Sequence, residues 1–346
     1  YIPLLIGMGL DEFSMNSSAI LQAKKTITEL NKTECEKLVG EVLQLSSDKE
    51  VEKRLGLPEE AKELFEKIAN KIEKSNLFSK RFDDVINTYM YPEAHDFGKA
   101  MDELSKIALL HRVNQYSLHF VFLLVCSERM HNLYKEANLS DELFWDTMQD
   151  LKYKFDECVD CKEKYGTFVG GWFDGFYRLN RFALGRFQFE YSIFGRDDYT
   201  SSCGIIIKKG DKTVGFHIPS SGVSLTDDVR LDSYKRAYEF FKDCRREDGL
   251  MIFECGSWLL YEGHRDFLNP KSNVLKFMDD FEIIESNAKD KFNDAWRIMG
   301  KYGYMSPKKW PTDNSLRKAF KDHVLSGGKT GSGHGIIVFD GEKILK

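Results

Sequence analysis

The stretch that most limits how this chain can fold is 251–281, MIFECGSWLLYEGHRDFLNPKSNVLKFMDDF. Its first five residues are mostly apolar and follow the turn pair Asp248-Gly249, so they read as a short buried strand. Gly256 and Ser257 break that strand, and Trp258, Leu259 and Leu260 follow as an apolar knot, with Trp258 as a core anchor. Pro270 closes the charged passage beyond, and 272–277 then alternates polar with apolar residues as a half-buried strand does. An earlier strand within 214–222, VGFHIPSSG, also runs into a Ser/Gly loop. A chain holding both stretches builds a sheet whose buried strands end at small, polar loops.

The 346 residues allow two domains, or one large domain with an appendage. A body of that size buries roughly 75% of the surface its unfolded chain exposes, so no metal or disulfide staple is required. A net charge of −5 argues against a general nucleic-acid binder, which carries a basic face, although a local basic pocket is compatible with it. The alternation of Arg and Phe around 178–189 is therefore not taken as a base-stacking platform. Seven cysteines without a secretory signal fit a reducing cytoplasm. Cys158 and Cys161 form a lone CxxC with no second pair and no nearby His, which reads as a structural pair, and no metal is expected. The longest apolar run, 120–126, is far below the ~20 residues of a membrane span.

A chain that opens on Tyr1 is expected to be part of a longer product. Residues 2–6 read as an apolar strand, followed by a Gly turn and amphipathic helices near 18–30 and 33–45. From Leu57 the pattern is helical, with Pro58, Glu59 and Glu60 marking a start. Helical periodicity fills 61–74, 96–112, 115–137 and 140–153, the last with Ser140 as N-cap. His119, on an apolar face, reads as a core histidine whose ring is satisfied. After Gly166 the texture changes. Gln188, Glu190 and Ser192 alternate with Phe187, Phe189 and Tyr191 as a strand. Strands are then expected at 205–208, 214–218, 251–255, 274–277, 281–285 and 336–339, and helices at 228–244, 290–300 and 314–325. The fold class is α+β.

Several residue groups resemble a bacterial family of acyltransferases with a helical N-terminal half and a C-terminal half like the GNAT N-acyltransferases. They are His217-Ile218-Pro219, Cys255-x-Ser257-Trp258-Leu259-Leu260, Ser272-Asn273-Val274 and Phe277-x3-Phe281. Segments 118–124, 141–148 and 184–190 extend the likeness. The resemblance implies a helical domain over 57–182 and a GNAT-like mixed sheet with helices on both faces over 183–346. Residues 1–55 resemble the C-terminal end of enzyme I, the phosphoenolpyruvate-protein phosphotransferase, through 2–15 and 18–21. That second resemblance implies a fragment of a (β/α)8 barrel end, its last strand and closing helices, fused to the body. The active cysteine and the phosphoenolpyruvate-binding arginines of that family lie earlier than the matched segment, and Asp11 and Glu12 read as capping charges.

The first resemblance implies a cytoplasmic enzyme that moves an acyl group from acyl-CoA to a small-molecule amine or peptide acceptor by direct attack. Such an enzyme must hold a diphosphate, deprotonate an amine and stabilise a departing thiolate. The usual phosphate loop of GNAT proteins has no clear copy. Ser220, Ser221 and Gly222 substitute best, since they precede a helix whose N–H groups attract anions. Asp227 and Asp228 in the first helical turn oppose this, and the loop reads equally as an N-cap region with Thr226 as cap. The segment 326–334, SGGKTGSGH, lacks the first glycine of a P-loop and reads as a flexible turn, with Lys329 within reach of a ligand phosphate. His217 and Glu254 are the candidate general bases: a buried Glu254 would have a raised pKa and accept a proton near neutrality, or would be structural and pair with Arg265. Ser257 and Cys255 are candidates to protonate the thiolate or bond the acyl carbonyl. The alternatives are a non-catalytic ligand-binding module, or the end of a phosphotransferase fused to an accessory domain.

One barrel strand cannot satisfy its own edges, and the seven strands it would pair with are not in this sequence. A chain shortened to begin at Leu57 is therefore expected to stay soluble and to melt cooperatively within a few degrees of the full chain. Aggregation of the shortened chain, or a much lower melting point in calorimetry, would show the first 56 residues to be integral.

Overall fold

The computed structural model describes residues 20–28, 30–33, 54–90 and 96–346, and the chain divides into two compact units after Gly56. In the first unit, Ile20–Thr28 is helical (α1). The strand expected at 2–6, the barrel-end reading built on it and most of the helix at 33–45 fall outside the described residues.

The second unit begins with five helices: α2 (Glu59–Glu73), α3 (Asn76–Tyr89), α4 (Phe97–His111), α5 (Gln115–Glu136) and α6 (Asp141–Lys162). Helix α3 was not expected. Its buried stripe is Phe78, Phe82, Val85 and Tyr89, at the same spacing as Ala61, Phe65, Ile68 and Ile72 of α2, with Ser75 accepting the Phe78 N–H as cap. Helix α5 is the hub. Asn114 caps it through the Tyr116 and Ser117 N–H groups, and of the apolar run 120–126 every residue but Val125 is buried. That run is core. Among the described residues no helix is long and apolar enough to cross a membrane. His119 is buried, its Nε2 3.0 Å from both Ser105 Oγ and the Met101 carbonyl, and burial lowers its pKa to about 4.

Helix α6 runs past the expected end at residue 153 and buries Cys158 and Cys161, whose thiols burial pushes up to about 12 and about 11. No metal-ligating cluster occurs among the described residues. The same helix joins the helical layer to the sheet through buried polar contacts. Thr147 Oγ1 accepts the Ala183 N–H (3.1 Å), and Asp150 accepts Gln188 Nε2 (2.8 Å) and Trp172 Nε1 (3.1 Å). Polar groups this deep are tolerated only when bonded, so these bonds fix one docking register.

The sheet has the order β1 (Arg181–Leu184), β2 (Phe187–Ile193), β5 (Lys212–His217), β6 (Met251–Ser257), β8 (Thr330–Phe339), β7 (Glu282–Lys289), with β9 (Ile344–Leu345) on β8. A small hairpin of β3 (Tyr199–Thr200) and β4 (Ile206–Ile207) lies apart from it. All neighbours are antiparallel except β5 and β6. Alternation sends Phe187, Phe189, Phe216, Phe253 and Phe339 to one face, where Tyr234 of helix α7 (Asp227–Phe240) stacks among them. Each such ring contributes about 1.5–3 kcal/mol by burial. On the other face Phe194, Ile207, Ile252, Ile336 and Val338 form a second cluster.

Three local expectations are corrected. Residues 272–277 are not a strand: Ser272 Oγ accepts the Leu275 N–H and caps the short helix α8 (Asn273–Met278), so the alternation belonged to a capped turn. The helix expected at 290–300 is reduced to α9 (Trp296–Met299), ahead of α10 (Ser315–Leu325). The glycines from Gly331 to Gly335 are not a flexible turn but the start of central strand β8. Side chains at Gly331 and Gly333 would collide with the Asn287 carbonyl, the Tyr261 ring and the Leu260 carbonyl, so glycine is there for close approach.

Candidate active site

Among the described residues β5 and β6 are the one parallel pair in the sheet, and their seam is short. β5 and β6 are in register only at Val214↔Phe253 and Gly215↔Glu254, and beyond these both strands run on without pairing each other. β5 stays tied to β2 on its far side through Gln188↔His217, and β6 to β8 through Gly256↔His334 and Ser257↔Gly333. The strands therefore part. A cavity of about 1130 Å³ occupies the gap, bounded by Phe216, His217 and Ser220 on one side and by Cys255, Ser257 and Trp258 on the other. Trp258, expected as a core anchor, is half-buried and forms part of this wall.

Register places the ionisable groups in two rows on one sheet face. Arg181↔Glu190, Glu190↔Gly215 and Gly215↔Glu254 form one row across four strands. The next row holds Gln188 and His217, then the parting, then Gly256 and His334. Each histidine is thus diagonal to a glutamate, within reach across a strand pair. His217 Nε2 lies 2.9 Å from Glu190 Oε1 and His334 Nε2 lies 3.3 Å from Glu254 Oε2, both off the axis of a straight hydrogen bond. Gly215 separates the two carboxylates. A Cβ there would meet Glu190 Cγ at 3.1 Å.

Glu190 is braced from the other side by Arg181, whose Nε and Nη2 donate to Glu190 Oε2 at 2.8 and 2.6 Å. Arg181 also donates to the Trp172 carbonyl and stacks its guanidinium 3.7 Å from that indole ring. The edge of His217 meets the same ring at 4.8 Å. Burial works against ionising Glu190, but His217 and Arg181 outweigh it and hold its pKa down at about 2.

Glu254 does not fit its expected role. It is buried beneath the cavity rather than lining it, and accepts hydrogen bonds from Ser192 Oγ (2.9 Å) and Thr213 Oγ1. Burial favours its neutral form, yet His334, Thr213 and Ser192 together lower its pKa, the reverse of the expectation. Arg265 pairs with Asp279 instead (2.7 Å). Ser257 lines the cavity, and its Oγ accepts the Leu259 N–H at 3.1 Å, leaving its own proton to donate. Cys255 is buried and burial raises its thiol pKa. Ser220 also lines the cavity, its hydroxyl bonded to Glu157. Ser221 Oγ accepts the Val223 N–H (3.3 Å), and Gly222 adopts φ +73°. These last two sit in the loop without reaching the cavity wall. Lys329 pairs with Asp290 (3.2 Å).

Sequence reasoning missed Glu190, Arg181, Trp172 and His334. Glu190 was visible as a polar position of an alternating strand; its pairing with His217 follows only from register.

Two family models match the chain: the N-acyltransferase N-terminal domain over residues 48–179 and the GNAT-like C-terminal domain over residues 181–337. Among solved structures, an acyltransferase in complex with decanoyl-CoA and teicoplanin is similar at 18% identity and a TM-score of 0.55, covering 84% of this chain and 99% of that one. An acyltransferase in complex with decanoyl-CoA gives 18% and 0.53, covering 84% and 98%. At that identity these likenesses bear on the fold alone. A short segment is similar to the phosphoenolpyruvate-protein phosphotransferases of Mycoplasma pneumoniae (52% over 52 residues, 15% of this chain) and Bacillus subtilis (46% over 50 residues, 14%). The chain spans 9% of the length of each.

A carboxylate with a depressed folded pKa stabilises the fold above its unfolded pKa of about 4.3, and that contribution fades as pH falls through the folded value. Glu190→Gln should therefore cost about 2–3 kcal/mol at pH 7 in urea unfolding, with the gap to the parent closing between about pH 4.5 and pH 2. A constant gap over that range would mean that Glu190 is not held ionised.

Proposed function

Since the chain belongs, over residues 48–337, to the acyltransferases that join an N-acyltransferase N-terminal domain to a GNAT-like C-terminal domain, we propose that it transfers an acyl group from acyl-CoA to an amine by direct attack. The observation that carries this is the parting of β5 and β6 over a cavity that reaches both His217 and Ser257. Where the ladder stops, backbone N–H and C=O groups on facing strand edges have no ladder partner, and such groups need one. The amide-bearing pantetheine arm of CoA supplies it. The acyl-CoA complexes of the structural neighbours support the same co-substrate.

In this reading the acceptor amine enters beside Trp172 and His217. His217 turns Nε2 toward Glu190, so the amine proton is taken at Nδ1 and the ionised Glu190 stabilises the imidazolium that forms. The amine nitrogen forms a bond to the thioester carbon, and the C–S bond breaks. The thiolate, steadied by a hydrogen bond from Ser257 Oγ, takes a proton from solvent, to which the His217 imidazolium returns the one it accepted. Glu254 then has a structural part, holding His334 and the strand ends rather than acting as base. Ser220, Ser221 and Gly222 contribute a loop next to the diphosphate. The acceptor is a small-molecule amine or an amine of a peptide. The free thiols, five of them buried, support a reducing, cytoplasmic setting.

With acyl-CoA and a panel of primary amines, thiol release should fall about 10²–10⁴-fold in His217→Gln, while calorimetric acyl-CoA affinity stays near the parent's. Turnover within a few-fold of the parent would remove His217 as the base.

A further inference from the structure

Helix α7 opens with Asp227 and Asp228, and the Arg230 that follows is spent on Asp227, Asp280 and the Leu225 carbonyl, so the loop before it lacks an uncommitted charge to hold a phosphate. The missing cation comes from elsewhere in the sequence. The turn between β1 and β2 carries Gly185 and Arg186, and it is bolted to α7: Ser233 Oγ accepts the Arg186 backbone N–H at 2.6 Å. Gly185 has φ +73°, and a side chain there would meet Ser233 Oγ at 2.6 Å, so the turn can approach that closely only as glycine.

From this anchor the Arg186 side chain reaches over the loop. Nε donates to the Val223 carbonyl at 2.8 Å and Nη1 to the Pro219 carbonyl at 2.9 Å. Both acceptors are neutral carbonyls, and among the described residues no carboxylate pairs with this guanidinium. Nη2 and one hydrogen of Nη1 remain as donors where Arg186 lines the cavity beside Ser220 and Leu225. Burial disfavours its charge and lowers its pKa, with nearby Tyr153 acting in the opposite sense. Glu157 of α6, which accepts the Ser220 hydroxyl, is itself paired with Lys154, whose Nζ lies 3.0 Å from Glu157 Oε1. Arg186 is thus a partly buried cation fixed in place and short of a counter-charge. A guanidinium with parallel free donors suits a phosphate oxygen pair.

We propose that Arg186 binds the diphosphate of CoA, supplying from the β1–β2 turn the positive charge that the loop at 219–226 lacks. This rests on the acyl-CoA reading above and adds a residue that specifies the nucleotide end of the co-substrate. The guanidinium has two tasks at once: it ties the loop in shape through Pro219 and Val223, and it presents the remaining donors to the ligand.

Calorimetry on the full chain with CoA, dephospho-CoA and pantetheine tests this without a known acceptor. Arg186→Gln should weaken CoA and dephospho-CoA by the same factor, about 10- to 100-fold for a charge-assisted contact, and leave pantetheine unchanged. Arg186→Lys keeps the charge and loses the double carbonyl tie, so it should recover part of the loss. A thermal melt of each variant separates a lost contact from a lost fold. Equal losses in the Gln and Lys variants would make Arg186 a brace for the loop and overturn the assignment. A loss with CoA but not with dephospho-CoA would move the guanidinium to the 3′-phosphate and overturn it too. If the parent chain binds neither nucleotide, the acyl-CoA reading fails along with this one; if the parent binds and Arg186→Gln binds as well, only the role of Arg186 fails.

Discussion

The structure depends on one discontinuity, the place where two parallel strands stop pairing. A sheet normally satisfies its backbone continuously, and an interior gap leaves polar groups that cost free energy unless something fills them. Here the gap is held open because each strand is fastened on its outer side, β5 to β2 through six register pairs and β6 to β8 through seven. The seam cannot close without shifting one of those ladders, and a one-residue shift would turn the Phe face of β2 or β6 toward the polar row. The aromatic layer under Tyr234 thus holds the cavity open from the opposite face of the sheet.

The same registers sort the charges. Two glutamates flank a glycine in one row, and two histidines flank the parting in the next. Strands β2 and β6 stand about 9–10 Å apart on either side of β5, and Gly215 adds no side chain between them. Each carboxylate answers to its own set of donors: Arg181 and His217 for Glu190, and His334, Thr213 and Ser192 for Glu254. Only the first set is tied to the helical layer, since Arg181 reaches the Trp172 carbonyl and Trp172 reaches Asp150 on α6. The helices therefore act on the site by positioning Trp172, which in turn limits where Arg181 and His217 can lie.

Much of the fold could be read in the sequence. Long helices with clear starts, such as those marked by Pro58 and Ser140, and strands with strict alternation, such as 187–193, announce themselves locally. Short elements did not. Residues 272–277 alternate like a strand because a single capped turn is too brief to display a helical period. The glycines of β8 mimic a loop, since their purpose is contact with Leu260 and Asn287, which lie far off in sequence. Of the candidate site, His217, Ser220 and Ser257 all line the cavity. Glu254 was misjudged because its three donors come from other strands, and Glu190 was missed because register, which the sequence does not display, is what sets it beside His217.

Hydrogen exchange of the full chain with and without bound acyl-CoA tests the central claim, that the co-substrate lies in the parting of β5 and β6, most directly. The account requires slowed exchange at 216–220 and 255–259, where backbone groups gain ligand partners, with the amides of α2 unaffected. Protection confined instead to the smaller cavity of about 310 Å³ around Arg230 and Asp280, or absent from both strand ends at a saturating concentration, would contradict it.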